Sequence, residues 1–135
     1  MEQGHWDEMC THFRPVQTGD MRGFVALDAA TGKMLAAQVF CLITGRATGQ
    51  AVQTHSLVLD RRPLFYGWVD FLQHYAFNVL GVSVVYGLVP ADNKRAIAIN
   101  RKMGALETGR IPNGDAPGVD LIVMSLQAED RRHGR

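Results

Sequence analysis

The stretch from residue 51 to residue 89 constrains the fold most, because its residue pattern changes from strand to helix and back to strand. Residues 51–59 (AVQTHSLVL) and 82–89 (VSVVYGLV) are apolar runs with β-branched residues, which predict two strands. Between them, residues 64–80 place apolar side chains at three- and four-residue steps, which is typical of a helix that buries one face. Gly81 predicts the end of this helix. A strand, a helix and a strand joined by short turns predict a parallel βαβ unit with a right-handed crossover.

A basic turn joins the first of these strands to the helix. Arg61 and Arg62 lie in it, and Pro63 follows at a position that the first turn of a helix tolerates. The carboxyl end of a central strand is where α/β sheets bind ligands, and the backbone N–H groups of a helix N-terminus attract anions. We therefore interpret Arg61 and Arg62 as an anion-binding pair, and an exposed basic turn without a ligand is the alternative.

The segments around the βαβ unit predict a mixed, mostly antiparallel sheet. Residues 23–27 and 34–43 predict a hairpin, which the strand at 51–59 extends to a three-strand meander. The segments after residue 89 predict a short basic helix at 94–103, strand segments at 105–106 and 109–111, a turn at 112–118 and a closing strand at 119–126. The predicted fold class is therefore α/β (α+β), with elements in the order β-β-β-α-β-α-β-β.

Composition predicts one domain. A chain of 135 residues with 47% apolar content suits a single core, which we place at residues 23–126, between an irregular segment at 1–22 and a charged tail at 127–135. The net charge of +1, from 14 Lys and Arg against 13 Asp and Glu, argues against a nucleic-acid binder or an anionic-membrane binder. No apolar run reaches the roughly 18 to 20 residues of a membrane span, and the start lacks the apolar core of a signal peptide. We therefore expect a cytoplasmic protein.

Metal binding is not expected from the sequence. His5, Cys10 and His12 are capable of binding a metal, but their spacing matches no structural zinc pattern. Cys41 lies in an apolar run, which predicts a buried thiol.

The segment at residues 93–105 (NKRAIAINRKMGA) carries a family resemblance. Its Asn93, its Ala96 three residues later, and Lys102 two residues before Gly104 match the late segment of the GNAT N-acetyltransferase superfamily, which this chain resembles over residues 23–126. Where that family commonly has Tyr and Phe, this chain has Asn100 and Ala105. The resemblance implies a sheet that is split between two central strands by bound acetyl-CoA.

The resemblance also implies where acetyl-CoA binds. Arg62 and Gly67 match the family's pyrophosphate turn, in which Phe65 replaces the first glycine. The implied binding residues are the backbone of Leu57, Val58 and Leu59 for the pantetheine arm, Arg61, Arg62 and Gly67 for the pyrophosphate, and Asn93 beside the arm. Asn93 is alternatively only a helix cap. The basic residues of the second helix are either a solvated face or contacts for a nucleotide phosphate or an acidic partner; they are Lys94, Arg95, Arg101 and Lys102.

Two side chains are candidates for acid–base chemistry. His55 lies on the strand that flanks the implied cofactor, and its ordinary pKa near 6.5 suits a base that acts directly or through water. Tyr86, on the opposing strand, is the candidate acid for the thiolate because Asn100 replaces the family's tyrosine. The alternative is that both are ordinary strand residues without a catalytic role.

Two functions follow from these observations. The first is an acetyl-CoA-dependent N-acyltransferase that moves an acetyl group to a small-molecule or peptide amine. The second is a catalytically degenerate structural or assembly module, such as a phage virion component. This hypothesis arises because only about 22 residues precede residue 23, which is too few for the strand and two helices that the family has there. In either case we expect homo-oligomers or a larger assembly, because a shortened domain leaves sheet edges open.

Overall fold

The computed structural model describes residues 4, 21–45, 50–65 and 67–131 of the chain. In chain order, the strands and α-helices of this part are β1 (Arg22–Leu27), β2 (Met34–Thr44), β3 (Ala51–Val58), α1 (Trp68–His74), β4 (Val84–Pro90), α2 (Lys94–Lys102), β5 (Leu106–Ala116) and β6 (Val119–Gln127). The predicted order of elements is confirmed. His5, Cys10 and His12, and most of the segment predicted to be irregular, lie outside the described residues.

The strands form one sheet in the order β1-β2-β3-β4-β6-β5. Neighbouring strands are antiparallel except β3 and β4, which are parallel and are joined through α1. The mixed, mostly antiparallel sheet and its central βαβ unit are therefore confirmed. None of the helices among the described residues is long and apolar enough to span a bilayer.

Both helices pack on the same face of the sheet. Under α1, Phe40 of β2 and Val52 of β3 form a buried cluster with Leu72 and Ala76. Under α2, a second cluster contains Val89, Ile122 and Met124, with Ala96 and Ile97 packed against it. The periodic apolar positions of each helix thus fix it over its own pair of strands, because their burial removes apolar surface from water.

The two helical segments are also linked directly, since Gln73 Nε2 donates a hydrogen bond to the carbonyl oxygen of Met103 at 3.0 Å. On the opposite face, Cys41 of β2 is fully buried, as predicted.

The prediction of one continuous helix over residues 64–80 is wrong. The chain instead forms a 3₁₀ turn at Arg62–Phe65, the α-helix α1, and a π-helical turn at Tyr75–Val79. Gly67 adopts a left-handed conformation with φ of 86°, which interrupts the helical backbone immediately before α1. At the other end, the N–H of Leu80 donates to the carbonyl of Tyr75, so the last turn is widened.

The predicted turn at residues 112–118 is too long, because β5 continues to Ala116 and only residues 117 and 118 form the turn. Side chains near the tip stabilise this longer hairpin. The Asp120 carboxylate accepts from the N–H of Asn113 at 3.0 Å, and the Asn113 side chain accepts from the N–H of Gly118 at 2.7 Å. These bonds support Asn113 at its positive φ of 55°, a conformation that asparagine tolerates. Pro and Gly therefore mark irregularities within the strand here.

Candidate active site between the central strands

The two parallel strands separate along their length. Their pairing covers Ala51–Val84, Val52–Val85 and Gln53–Tyr86. Beyond these pairs, residues 54–57 of β3 and 87–90 of β4 flank a cavity of about 340 Å³. Its lining includes Thr54, His55, Ser56, Gly87, Asn93 and Asn100. The sheet therefore opens at its centre into a cleft that α2 borders.

The backbone of β3 presents polar groups to this cleft. The N–H of Leu59 donates to the carbonyl of Leu35 at 2.8 Å, on the β2 side. Backbone groups alternate in direction along a strand, so those of Val58 face the opposite side, toward β4. Accordingly, Arg95 Nη2 on α2 reaches over and donates to the Val58 carbonyl at 3.2 Å. Of the three residues proposed for the pantetheine arm, Leu57 lines the cavity, and the backbone carbonyl of Val58 points toward the cleft.

Gly87 keeps the apex of the cleft open. A Cβ atom at this position would lie 3.4 Å from the Thr54 carbonyl oxygen and 3.6 Å from Thr54 Oγ1. The same hydroxyl donates to the Tyr86 carbonyl at 3.4 Å, which joins the two strands where they begin to separate. Sequence reasoning missed Gly87, although a glycine inside the apolar run VVYGLV signals a close approach of backbone or ligand.

The two candidate acid–base residues lie where the strands begin to separate, and of the two His55 lines the cavity. His55 is half-buried on β3. Burial lowers the pKa of His55 below its ordinary value because desolvation disfavours the charged imidazolium. His55 is therefore mainly neutral near pH 7, which is the form that accepts a proton. Tyr86 is half-buried on β4, in the last residue pair before the strands separate.

The α2 border of the cleft carries two asparagines. Asn93 Oδ1 accepts from the N–H of Ala96 at 3.1 Å, so its predicted role as a helix cap is confirmed, and the residue also lines the cavity. Asn100 also lines the cavity. Its Nδ2 donates to the Ala96 carbonyl at 2.8 Å, so the amide is oriented by the helix itself.

Arg62 is held by two carboxylates at the head of the helical segment. Its Nη2 lies 3.1 Å from Asp28 Oδ2 and 3.1 Å from Asp60 Oδ2, and 54% of its side chain is exposed. Hydrogen bonds that the Arg62 guanidinium donates to Asp60, and then to Asp28, raise its pKa. Arg61 and Gly67 are exposed beside it. Exposed ion pairs contribute little free energy, so an incoming anion can replace these carboxylates without a large cost.

The Asp28 carboxylate also accepts hydrogen bonds from the N–H of Ala30 at 2.8 Å and of Thr31 at 3.2 Å. These bonds lower the pKa of Asp28 below 3.8, and Arg62 lowers it further. A depressed folded-state pKa contributes stability that is present above the unfolded pKa and is lost as pH falls through the folded one.

We therefore expect Asp28→Asn to lower the free energy of unfolding at about pH 7, and to have a smaller effect at about pH 2, because the stability that depends on the charge is lost as pH falls through the folded-state pKa. Urea unfolding at both pH values measures this difference. Asp92→Asn, at an exposed turn aspartate, is the control. A loss of equal size at both pH values would contradict the role of the carboxylate charge.

Comparison with known proteins adds a structural relationship. No family model and no curated protein matches the sequence. Spermidine N-acetyltransferase from Vibrio cholerae, in a dodecameric structure, superposes with a TM-score of 0.66 at 15% identity, over 82% of this chain and 67% of that one. The same enzyme in complex with CoA and spermine superposes with a TM-score of 0.68 at 13% identity, over 95% of this chain and 74% of that one. Ribosomal-protein-S5-alanine acetyltransferase from Vibrio fischeri superposes with a TM-score of 0.68 at 14% identity, over 95% of this chain and 69% of that one.

Proposed function

The chain has the GNAT acetyltransferase fold, and from that premise we propose that it is an acetyl-CoA-dependent N-acyltransferase that acts on an amine. The observation that carries the proposal is the separation of β3 from β4 around a cavity of about 340 Å³. The residues present fit an extended pantetheine arm, because Val58 offers a backbone acceptor and Gly87 leaves space that a side chain would fill. An amine acceptor is supported by the structural neighbours, which are named for N-acetylation of spermidine and for acetylation of alanine.

The proposed cofactor site has three parts. The pantetheine arm lies along β3 at Leu57, Val58 and Leu59, with the cleft-facing backbone of Val58 as its main contact. The pyrophosphate lies at Arg61, Arg62 and Gly67, where arginine offers charge-assisted hydrogen bonds. Asn93 borders the arm at the start of α2.

The proposed chemistry needs two proton transfers. Acetyl-CoA supplies a thioester whose carbonyl carbon is attacked by the amine nitrogen while the carbon–sulfur bond breaks. His55, neutral because burial lowers its pKa, accepts the proton that the amine loses, directly or through water. Tyr86 donates its hydroxyl proton to the leaving thiolate, and the products are an amide and CoA. Spermidine and a peptide that begins with alanine are suitable probe amines, because they resemble the acceptors named for the structural neighbours.

We expect calorimetric titration to show saturable binding of both CoA and acetyl-CoA. Arg62→Ala should weaken both affinities about tenfold, because a charge-assisted hydrogen bond to phosphate is lost. Arg110→Ala is the matched control, since Arg110 is also paired with two carboxylates, Glu107 at 3.2 Å and Asp120 at 3.4 Å, but on β5.

Unchanged affinity in Arg62→Ala would remove Arg62 from the site. Absence of wild-type binding at about 1 mM cofactor would overturn the transferase proposal itself, because that concentration detects even weak complexes. In that case the non-catalytic assembly module would be the better hypothesis.

We also propose a homo-oligomer, because one structural neighbour is dodecameric. Light scattering after size-exclusion chromatography, with and without CoA, measures the mass of the assembly. A monomeric mass under both conditions would contradict this proposal.

A further inference from the structure

We propose that Arg95 makes the cleft selective for acyl donors that carry phosphate groups. Without a phosphate, the Arg95 guanidinium donates a hydrogen bond to the Val58 carbonyl, which a pantetheine arm needs as an acceptor. A bound phosphate accepts hydrogen bonds from the guanidinium instead, and the carbonyl is released. This inference rests on the proposed function and assigns a specificity-determining role to a residue outside the cofactor contacts proposed above.

The first observation is a hydrogen bond across the mouth of the cleft. Arg95 Nη2 donates to the Val58 carbonyl at 3.2 Å, and 37 residues separate the two along the chain. Val58 is the last residue of β3, and Arg95 lies in the first turn of α2. The bond therefore connects β3 to α2 at the end where the strands have separated, and it uses one of the two lone pairs of the carbonyl that faces the cleft.

The second observation is the position of this bond relative to the anion-binding turn. Val58 lies three residues before Arg61 in the chain. Three residues span at most about 11 Å even when they are fully extended. The basic turn therefore begins within about 11 Å of the residue whose carbonyl Arg95 holds, and we infer that a phosphate bound at this turn attracts the Arg95 guanidinium.

The third step is an exchange of partners. In this structure Arg95 donates to a neutral carbonyl. A phosphate is a better partner, because it adds a negative charge opposite the guanidinium and its oxygens accept two parallel hydrogen bonds from arginine. When a phosphate attracts Arg95, the Val58 carbonyl becomes available to an amide N–H of the pantetheine arm.

The consequence concerns which donors bind. A pantetheine thioester without phosphate competes with Arg95 for the Val58 carbonyl. It provides no phosphate oxygen that could accept a hydrogen bond from the displaced guanidinium. CoA offers phosphate groups, so the same displacement is compensated. Selectivity is the difference between two affinities, and Arg95 increases this difference by penalising the phosphate-free donor.

The test is calorimetric titration of the full chain with CoA and with pantetheine. Wild type is expected to bind CoA at least about a hundredfold more tightly, because phosphate contacts add charge-assisted hydrogen bonds. In Arg95→Ala, the affinity for pantetheine should rise about threefold and that for CoA should fall about threefold, so that the ratio shrinks about tenfold. Arg110→Ala removes a positive charge from β5, outside the cleft, and should leave the ratio unchanged.

An unchanged ratio in Arg95→Ala, or a parallel loss of both affinities, would overturn the role of Arg95 while leaving the transferase proposal intact. Absence of CoA binding by wild type would overturn the transferase proposal and this inference together. If Arg95→Ala unfolds, Arg95→Met keeps the aliphatic stem and provides the same comparison.

Discussion

Replacing Gly87 by leucine is expected to abolish CoA binding, with at least a hundredfold (about 2.7 kcal/mol) loss of affinity, while the fold is retained. Gly87 lines the cleft, and a Cβ atom there would be in van der Waals contact with the Thr54 carbonyl oxygen at 3.4 Å, so a longer side chain has to occupy the cleft. A leucine side chain would extend into the space between β3 and β4 that the pantetheine arm is proposed to fill. Because Gly87 does not have positive φ, the substitution does not strain the backbone by itself.

Calorimetric titration measures the loss of affinity, and thermal unfolding measures retention of the fold. Gly109→Leu is the matched control, because Gly109 is also a strand glycine without positive φ, and its Cβ would contact Val123 at 3.6 Å, away from the cleft. We expect this control to bind CoA like wild type. If Gly87→Leu also kept wild-type affinity, CoA would not lie between β3 and β4.

Replacing His55 by glutamine is expected to lower kcat at least about a hundredfold, which is the lower range for loss of a general base. His55 lines the cleft, and burial lowers its pKa below the ordinary 6.5. The base must be neutral, so wild-type kcat should rise with pH through the depressed pKa and become constant above it. In His55→Gln this rise should disappear, while the affinity for CoA should stay unchanged.

Initial rates with the two probe amines, measured from about pH 5 to pH 8, test this expectation across the range in which histidine titrates. His74→Gln is the control, because His74 is exposed in the last turn of α1. A reduced kcat with an unchanged pH profile would mean that His55 has a structural role. Wild-type kcat in His55→Gln would exclude it as the base.

Several parts of the candidate site could be predicted from the sequence because they depend on residues close together in the chain. The periodicity of residues 51–89 specifies which side chains share a face, and it predicted the central βαβ unit. The cap formed by Asn93 depends only on Ala96, three residues later. The same local reasoning failed at Gly67, because helical periodicity does not reveal that one residue takes a left-handed conformation.

The sequence by itself determined the order of the elements, the central βαβ unit and the basic turn at its head, since these follow from steric preferences and side-chain periodicity within short segments. Only the tertiary structure decided where β3 and β4 separate, that Arg62 pairs with Asp28 of the β1–β2 turn, and that Arg95 reaches Val58. Such contacts join segments that are distant in the chain, so they depend on strand register and helix packing, which no local pattern specifies.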